Sequence, residues 1–406
     1  MSLYFDPCVP EIKSKPYEVF SSFRNHAPIH WGKSALPGFP GTWYVFGHEE
    51  AKEISRSDFN YSTANNDHHK TITPALNPRQ KLWKYLDDWL FFQSAPHHTN
   101  MRKIITDAYR SVDQQSLNAL INTSSSTRIK RLISLNETFD IQSDYSYPYT
   151  VEIISHIVGI QSPEIVWFKK LTANIANSLD LGQTESFDYA AAEAIEELSL
   201  YVKDLIDWKK QHTGNDLFSA MLSEYTSGNI NESVLIASVV QMLFAGQESV
   251  SDLIGNGIHS LSHHPEQFHH LRTHPDLIDN CVSEILRYDT SVLFGATRMI
   301  AEDKQIGGVS VKKGDLVNIV IGACNHDPKT FMHPDQFDIT MPKAAGNFSF
   351  GYGIHYCIGA QLAKSLLKST LVNLAMDAKS SINIEGVPLW RPNITLRGPR
   401  SLRIHF

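Results

Sequence analysis

The residue of this chain best suited to chemistry is Cys357, which lies in a glycine-dense stretch from Phe350 to Gly359. A helix-forming run from Ala360 to Met376 follows directly. Glycines let backbone pass close to a flat ligand and leave amides free to point at the sulfur. A thiolate held in this way can form one axial bond to a heme iron and donate electron density that favours O–O cleavage. A lone cysteine is more often a buried structural residue, but the length of this pattern favours a ligand.

The stretch reads Phe-Gly-x-Gly-x-His-x-Cys-x-Gly. It resembles the heme-binding signature of the cytochrome P450 family at every fixed position, and the resemblance covers the chain from about residue 15 to its end. It implies a single P450 domain over residues 1–406, mainly α with a small β portion. In that fold heme b is buried between the long central helix and the Cys-bearing loop, with Cys357 as the metal ligand and dioxygen as co-substrate.

Two other segments resemble family contacts to the heme propionates. His98 and Arg102 are one helical turn apart and point the same way, as in the family's His-x-x-x-Arg. Arg298 matches a further propionate-binding arginine, and the arginine fork suits carboxylates. Taken alone, His98 and Arg102 could equally be a helix-start histidine and a solvated arginine. The cofactor-binding residues that the resemblance implies are His98, Arg102, Arg298, His355, Phe350, Gly351, Gly359 and Ala245.

The segment Ala245-Gly246-Gln247-Glu248-Ser249 lies in the middle of a predicted helix. A helix-interior glycine is unfavourable by roughly 1 kcal/mol, so glycine beside an acid and a hydroxyl suggests a local opening of the hydrogen-bond ladder. The segment resembles the family's oxygen-activation motif, (Ala/Gly)-Gly-x-(Asp/Glu)-Thr, whose acid and hydroxyl assist proton delivery. This implies catalytic roles for Glu248, Ser249 and Gly246. The alternative is a polar stripe on a core helix.

The sequence departs from the family at Ser249, where threonine is usual, and at Val250, where a second hydroxyl is common. Serine keeps the hydroxyl but lacks the methyl group that restricts its rotamer. Proton delivery would then be less ordered, or a hydroxyl of the substrate would take part. Hydroxylation or epoxidation is the first expectation, and coupling, nitration or desaturation remains open.

Gln241 shares a helix face with Ala245 and Ser249, so it would point into a substrate pocket with Phe244 beside it. An amide in an apolar wall could fix a polar group of the substrate. The alternative is that a neighbouring helix satisfies Gln241. The further pocket candidates that the resemblance implies are Phe294, Ile394 and the segments 61–92 and 170–192.

Glu284 and Arg287 are three residues apart on an apolar helix, so their charges can meet. Alone they would be read as a surface ion pair. They resemble the family's Glu-x-x-Arg, which lies at a similar distance before the cysteine and braces the heme loop. We therefore expect a structural role for them.

The chain has no Gly-x-Gly-x-x-Gly for a flavin or nicotinamide and no cysteine set for an iron–sulfur cluster. Electrons should therefore come from a separate ferredoxin or flavodoxin-type donor, with NAD(P)H acting only indirectly. The basic residues expected to flank the thiolate side are a candidate docking patch or simply a solvated face. They are Arg102, Lys103, Lys364 and Lys368.

The chain has 406 residues, 42% of them hydrophobic and 19% charged, with a net charge of −7. This composition is that of a soluble globular protein and gives no reason to expect nucleic acid. The start of the chain lacks the pattern of a signal peptide, and the longest apolar stretch, around Val234 to Gly246, is too short and polar to span a bilayer. We expect the soluble, bacterial-type branch of the family, in the cytoplasm, acting on a small molecule of specialised metabolism. A heme-based gas sensor or carrier is the alternative of another class.

The elements that must position these residues follow from hydrophobic periodicity. We predict mixed turns and short strands over residues 1–60, with a strand from Gly41 to Gly47. The other predicted elements are a helical region from Pro96 to His212, helices over Glu232–Ser262 and Asp276–Tyr288, strands and turns over 298–322 with one strand at Leu316–Ile321, and short strands over 384–406.

Overall fold

The structure is a computed structural model that describes residues 3–36, 38–56, 61–63, 78–161, 163–181, 185–341, 346–378 and 380–406. Helices dominate this part of the chain, as the sequence predicts. They are α1 (Pro10–Ser14), α2 (Pro16–His26), α3 (His48–Arg56), α4 (Pro78–Leu86), α5 (His97–Arg110), α6 (Gln114–Ser134), α7 (Tyr147–Val158), α8 (Ile165–Ser178), α9 (Glu185–Gln211), α10 (Leu217–Thr226), α11 (Glu232–Ala245), α12 (Glu248–His263), α13 (Pro265–Thr273), α14 (Ile278–Tyr288), α15 (Ile321–Cys324) and α16 (Ala360–Asp377).

The strands are short and form small sheets. They are β1 (Ile29–Gly32), β2 (Thr42–Val45), β3 (Tyr61–Thr63), β4 (Phe139–Asp140), β5 (Arg298–Ile300), β6 (Lys304–Ile306), β7 (Val309–Val311), β8 (Leu316–Ile319), β9 (Asn383–Ile384), β10 (Leu389–Trp390), β11 (Pro399–Ser401) and β12 (Arg403–His405). The predicted strand at 41–47 and the short strands near the end of the chain are confirmed. The strand predicted to reach Ile321 ends at Ile319, because Ile321 already begins α15.

The largest sheet brings distant parts of the chain together in the order β1-β2-β8-β5-β3. Strands β2 and β8 are parallel and pair Thr42 with Leu316, whereas β5 runs antiparallel to β8 and pairs Arg298 with Val317. This sheet therefore fixes Arg298 at the start of β5. A separate three-stranded sheet places β12 between β4 and β9.

The first sixty residues are more helical than the sequence interpretation expected. Helices α1, α2 and α3 lie there, and each buries an apolar side chain, respectively Ile12, Phe20 and Ile54. Proline begins both α1 and α2, where its fixed φ and missing N–H are tolerated. Residues 1–60 were predicted as turns and short strands, but Pro10 and Pro16 begin helices.

The predicted central helix is interrupted where the sequence suggested an opening. Helix α11 ends at Ala245 and α12 begins at Glu248, with Gln247 at φ −101° and ψ −69° between them. A Cβ on Gly246 would lie 2.5 Å from Cδ1 of Ile154, so a larger residue here would displace the end of that side chain on α7. The stretch from Glu232 to His263 is long and apolar enough to cross a membrane, but 61% of its most apolar window is buried inside the molecule. Core helices of soluble proteins share that property.

Candidate active site

The cysteine loop is folded back on itself and packed against α3. Gly351 and Gly353 have φ of 69° and 71°, which side-chain-bearing residues rarely adopt. The Cys357 N–H donates to the Phe350 carbonyl at 2.9 Å and closes the loop. A Cβ on Gly353 would lie only 2.1 Å from the carbonyl oxygen of Ser55. Glycine is therefore required at 353 both by the turn and by the neighbouring helix end.

Cys357 carries a free, exposed thiol even though protein atoms surround the loop. That surrounding protein raises the pKa of the Cys357 thiol through desolvation, whereas the Gly359 backbone and the Arg102 charge act to lower it. The sulfur is thus accessible from one side and shielded from bulk water on the others. Such a thiol is suited to metal ligation, which would itself favour the thiolate.

A cluster of basic side chains lies beside the loop. The rings of His98 and His355 lie 4.1 Å apart, centroid to centroid, and Arg102 donates to the Tyr356 carbonyl at 2.6 Å. Desolvation, with the charges of Arg102 and Arg298, lowers the pKa of His98 to about 4. Desolvation and the same two arginines, together with His98, lower the pKa of His355 to about 2. Both imidazoles are therefore neutral between two guanidinium groups.

This cluster fits the dianionic edge of a heme. His98 is 1% exposed, and neither of its ring nitrogens has a hydrogen-bond partner among the described residues. Buried polar atoms without partners are costly, and clustered positive charges repel one another. Two propionate groups would supply acceptors to His98 and counter-charges to Arg102 and Arg298. The residues that the sequence assigned to the propionates are thus brought together.

Ser249 lies on the accessible face of the interrupted helix. Its hydroxyl donates to the Ala245 carbonyl at 3.3 Å. Ala245 is exposed and Ser249 half-buried, whereas Gln247 and Glu248 between them are buried. The hydroxyl therefore faces accessible space and the acid next to it does not.

The carboxylate of Glu248 is 2% exposed and held by partners from three other segments. It accepts hydrogen bonds from Tyr147 at 3.1 Å and Thr172 at 2.5 Å, and it pairs with Arg391. Arg391 also donates to Asp252 at 2.7 Å. Glu248 is thus anchored to α7, α8 and the segment after β10. Arg391 follows it by 143 residues and was missed, because no local pattern links the two.

The polar pocket candidate, Gln241, is engaged by its neighbours. Its side-chain oxygen accepts the Leu90 N–H at 2.9 Å, which corresponds to the alternative of a satisfied core amide. Phe244 is half-buried and packs on Trp89 with ring centroids 5.6 Å apart. Gln241 thus fixes the short 3-10 turn at Leu90–Phe92 beside the helix.

The assignment of Phe294 and Ile394 to the pocket is corrected by their burial. They are 1% and 2% exposed and belong to one apolar core cluster with Phe5 and Phe20. Apolar residues of core and pocket look alike in a sequence, which explains the error. Of the predicted recognition segments, residues 64–77 and 182–184 lie outside the described residues.

The Glu284–Arg287 pair is buried and bidentate. The two guanidinium–carboxylate contacts measure 2.7 and 2.8 Å, and the side chains are 7% and 4% exposed as residues. Arg287 also donates to the carbonyls of Asn325, Pro334 and Gln336. The pair is therefore buried, not the exposed surface pair that the Glu-x-x-Arg motif alone would suggest.

Asn325 connects this ion pair to the cysteine loop. Its side-chain oxygen accepts the Phe348 N–H at 2.6 Å, and its amide donates to the Ser349 hydroxyl at 2.9 Å. Its carbonyl accepts from Arg287 at 3.2 Å. The sequence interpretation assigned no role to Asn325, and only the fold shows that it is the link.

The basic residues of the thiolate side differ in their availability. The Lys364 ammonium lies 5.3 Å from the centre of the Phe350 ring, next to the loop. Lys368 pairs with Asp279 at 2.8 Å, and Lys103 is exposed. Arg102 is half-buried and donates to the loop backbone, so it belongs to the site more than to the surface.

Comparison with known proteins identifies the family. A family model described as Cytochrome P450 matches residues 65–375. The biotin biosynthesis cytochrome P450 of Bacillus subtilis (strain 168) is 28% identical over 399 residues, covering 98% of this chain and 97% of the relative. The polyketide biosynthesis cytochrome P450 PksS of the same strain is 26% identical over 409 residues, covering 99% and 98%.

A solved structure shares the fold. P450BioI in complex with hexadec-9Z-enoic acid ligated acyl carrier protein has a TM-score of 0.86 at 26% identity, covering 98% of this chain and 100% of that one. The fold, the accessible cysteine and the match over most of the sequence lead to one conclusion. The chain belongs to the cytochrome P450 family and is a cytochrome P450 monooxygenase.

Proposed function

We propose that this monooxygenase hydroxylates or epoxidises a small organic substrate of specialised metabolism. Heme b would be held by Cys357, and electrons would come from a separate ferredoxin or flavodoxin-type protein in the cytoplasm. The proposal of a heme site rests on the accessible Cys357 thiol and on the nearby buried His98, whose ring nitrogens have no hydrogen-bond partner among the described residues. The relative named for polyketide biosynthesis supports the substrate class.

Each side of the site has its own task. When bound, the heme supplies oxygen activation. Cys357 would bind it from the loop, and Arg102 and Arg298 would orient it through its propionates. The Ser249 hydroxyl can hold a proton at Oγ on the open face of the helix, within reach of the Ala245 carbonyl.

The first test is the visible spectrum of the reduced protein exposed to carbon monoxide. A strongly red-shifted Soret band is expected, and a histidine-type band would contradict the proposal. The same holoprotein can then be titrated with candidate compounds, where a low-to-high-spin shift reports binding. Consumption of NAD(P)H through added redox partners distinguishes an enzyme from a gas sensor or carrier, which would consume none.

A second form of the substrate has specific support. The solved P450BioI complex carries its fatty acid on an acyl carrier protein, so a carrier-tethered substrate is a second candidate. Titration with an acyl group in free and carrier-bound form separates the two by affinity.

The Ser249–Val250 departure from the family motif keeps coupling, nitration or desaturation as alternative reactions. Mass analysis of the product distinguishes each of them from oxygen insertion.

A further inference from the structure

Helix α12 carries a buried polar stripe that extends away from Ser249. Glu248, Asp252 and Asn256 follow one another at single-turn spacing and are all at most 2% exposed. Residues four apart share a helix face, so these side chains form one row. A row of this kind inside an apolar core is costly unless its polar atoms are satisfied.

Two oxygens of the row lack partners. Asp252 uses Oδ1 to accept from Arg391 at 2.7 Å, but its buried Oδ2 has no partner among the described residues. One turn further on, Oδ1 of Asn256 is also buried and without a partner among the described residues. The Asn256 amide nitrogen donates to the carbonyls of Asp289 and Arg397. A buried acceptor without a partner suits a bound water or, at Asp252, a protonated carboxyl group.

The charges around Asp252 favour the proton. Glu248 and Asp252 share one guanidinium, that of Arg391 after β10. Lys169 of α8 is the other nearby cation, with its ammonium 4.9 Å from the Tyr147 ring centre. Burial, reinforced by the Glu248 charge and opposed by Arg391 and Lys169, raises the pKa of Asp252 to about 7.

We propose that Asp252, rather than the fully engaged Glu248, holds the proton that is passed to the Ser249 side of the helix. Asp252 follows Ser249 by three positions, which places the two side chains about 5–6 Å apart at Cβ, a gap that one water can bridge. Glu248 then orients Arg391. Because Asp252 acts through Ser249, it is a positioning residue, and the inference rests on the proposed function.

The transfer balances as a simple proton relay. The O–H bond at Asp252 Oδ2 breaks as the bridging water takes the proton, and that water gives a proton to Ser249 Oγ. The original hydroxyl proton of Ser249 moves on into the site. The Asp252 carboxylate stays paired with Arg391 until solvent returns a proton, and no electrons are exchanged.

The test compares Asp252→Asn with Glu248→Gln, the matched carboxyl-to-amide change one turn away. In the wild-type holoprotein, infrared difference spectra should show the carbonyl band of a protonated carboxyl group that disappears with a midpoint near pH 7. Asp252→Asn should remove this band. Glu248→Gln should keep it and lower its midpoint, because it removes the negative charge that helps to hold the proton.

Turnover supplies the second readout. In Asp252→Asn, product formed per NAD(P)H should fall at least fivefold, and its dependence on pH near 7 should vanish, with heme content and carbon monoxide spectrum unchanged. A titrating band that survives in Asp252→Asn, or its loss with unchanged product yield, would overturn the proposal. A wild-type protein without the red-shifted Soret band would instead refute the proposed function, whatever the infrared result.

Discussion

The Cys357 loop and the helix break near Ser249 are built in different ways. The Cys357 loop is held mainly through backbone groups, by glycine turns, by the Phe350 carbonyl and by the Asn325 side chain. The helix break near Ser249 is held by side chains, the Glu248–Arg391 ion pair together with hydrogen bonds from Tyr147 and Thr172. The first arrangement fixes a geometry, whereas the second leaves groups that can gain or lose a proton. The loop thus provides a rigid backbone frame, whereas the helix break gathers ionisable side chains.

The largest effect should come from Cys357→Ala. Removing the only accessible thiol of the loop should abolish the thiolate-type carbon monoxide band completely while the fold is kept. Cys8→Ser is the matched control, because Cys8 is free and half-buried but remote in sequence from the loop, and it should leave the band unchanged. A retained band in Cys357→Ala would mean that another group ligates the iron.

Glu284→Ala should be nearly as severe, because it leaves Arg287 buried and unpaired. Half-breaking a buried ion pair costs about 3–5 kcal/mol, so poorly folded, heme-free protein is expected. Asp279→Ala breaks the exposed pair with Lys368 and should cost no more than about 1 kcal/mol. Soluble yield, heme content and melting temperature measure both. Soluble Glu284→Ala holoprotein would remove the bracing role.

Asp252 should make stability depend on pH. Its pKa rises from an ordinary 3.8 to about 7 on folding, so the folded state holds a proton that the unfolded state has lost. Between these values stability should fall as pH rises, and Asp252→Asn should flatten that slope. Chemical denaturation at several pH values measures this. An equal slope in both proteins would show that another group is responsible.

Ser249→Ala should lower the yield of product per electron more than it lowers the rate of electron delivery. Without the hydroxyl, product per NAD(P)H should fall several-fold and peroxide should rise, while substrate-induced spin shift is kept. Ser249→Thr is the matched variant and should restore or improve the yield, because its methyl group restricts the rotamer. An unchanged yield in Ser249→Ala would exclude Ser249 as the proton relay.

The smallest effects are expected on the thiolate surface. Lys364→Glu should slow ferredoxin-driven turnover a few-fold, and more at low salt, because surface charges act over a Debye length of about 10 Å at 0.1 M. Lys368→Glu should act less, since Asp279 already offsets its charge. Rates measured over a salt series compare the two. Unchanged rates in both variants would show that this surface does not dock the electron donor.

The sequence predicted the glycine turns of the cysteine loop, the Glu284–Arg287 pair and the helix break, because each depends on spacing within a few residues. The propionate role of the basic cluster stays a prediction. It missed Asn325 and Arg391, which act on segments 23 and 143 residues away. Phe294 and Ile394 were misplaced because an apolar residue reads the same in core and pocket. Helices α1 and α2 were missed because proline at a helix start resembles proline in a turn.

The position of β12 at the centre of its sheet has a consequence for biosynthesis. Asp140 of β4 accepts from Ser401, which is 261 residues later in the chain, and Ile404 pairs with both neighbouring strands. A ribosome adding roughly 5–20 residues per second needs about 13–50 s to cover that interval. For this time β4 has no partner strand in its sheet, so the nascent chain exposes an unpaired edge that a chaperone could cover.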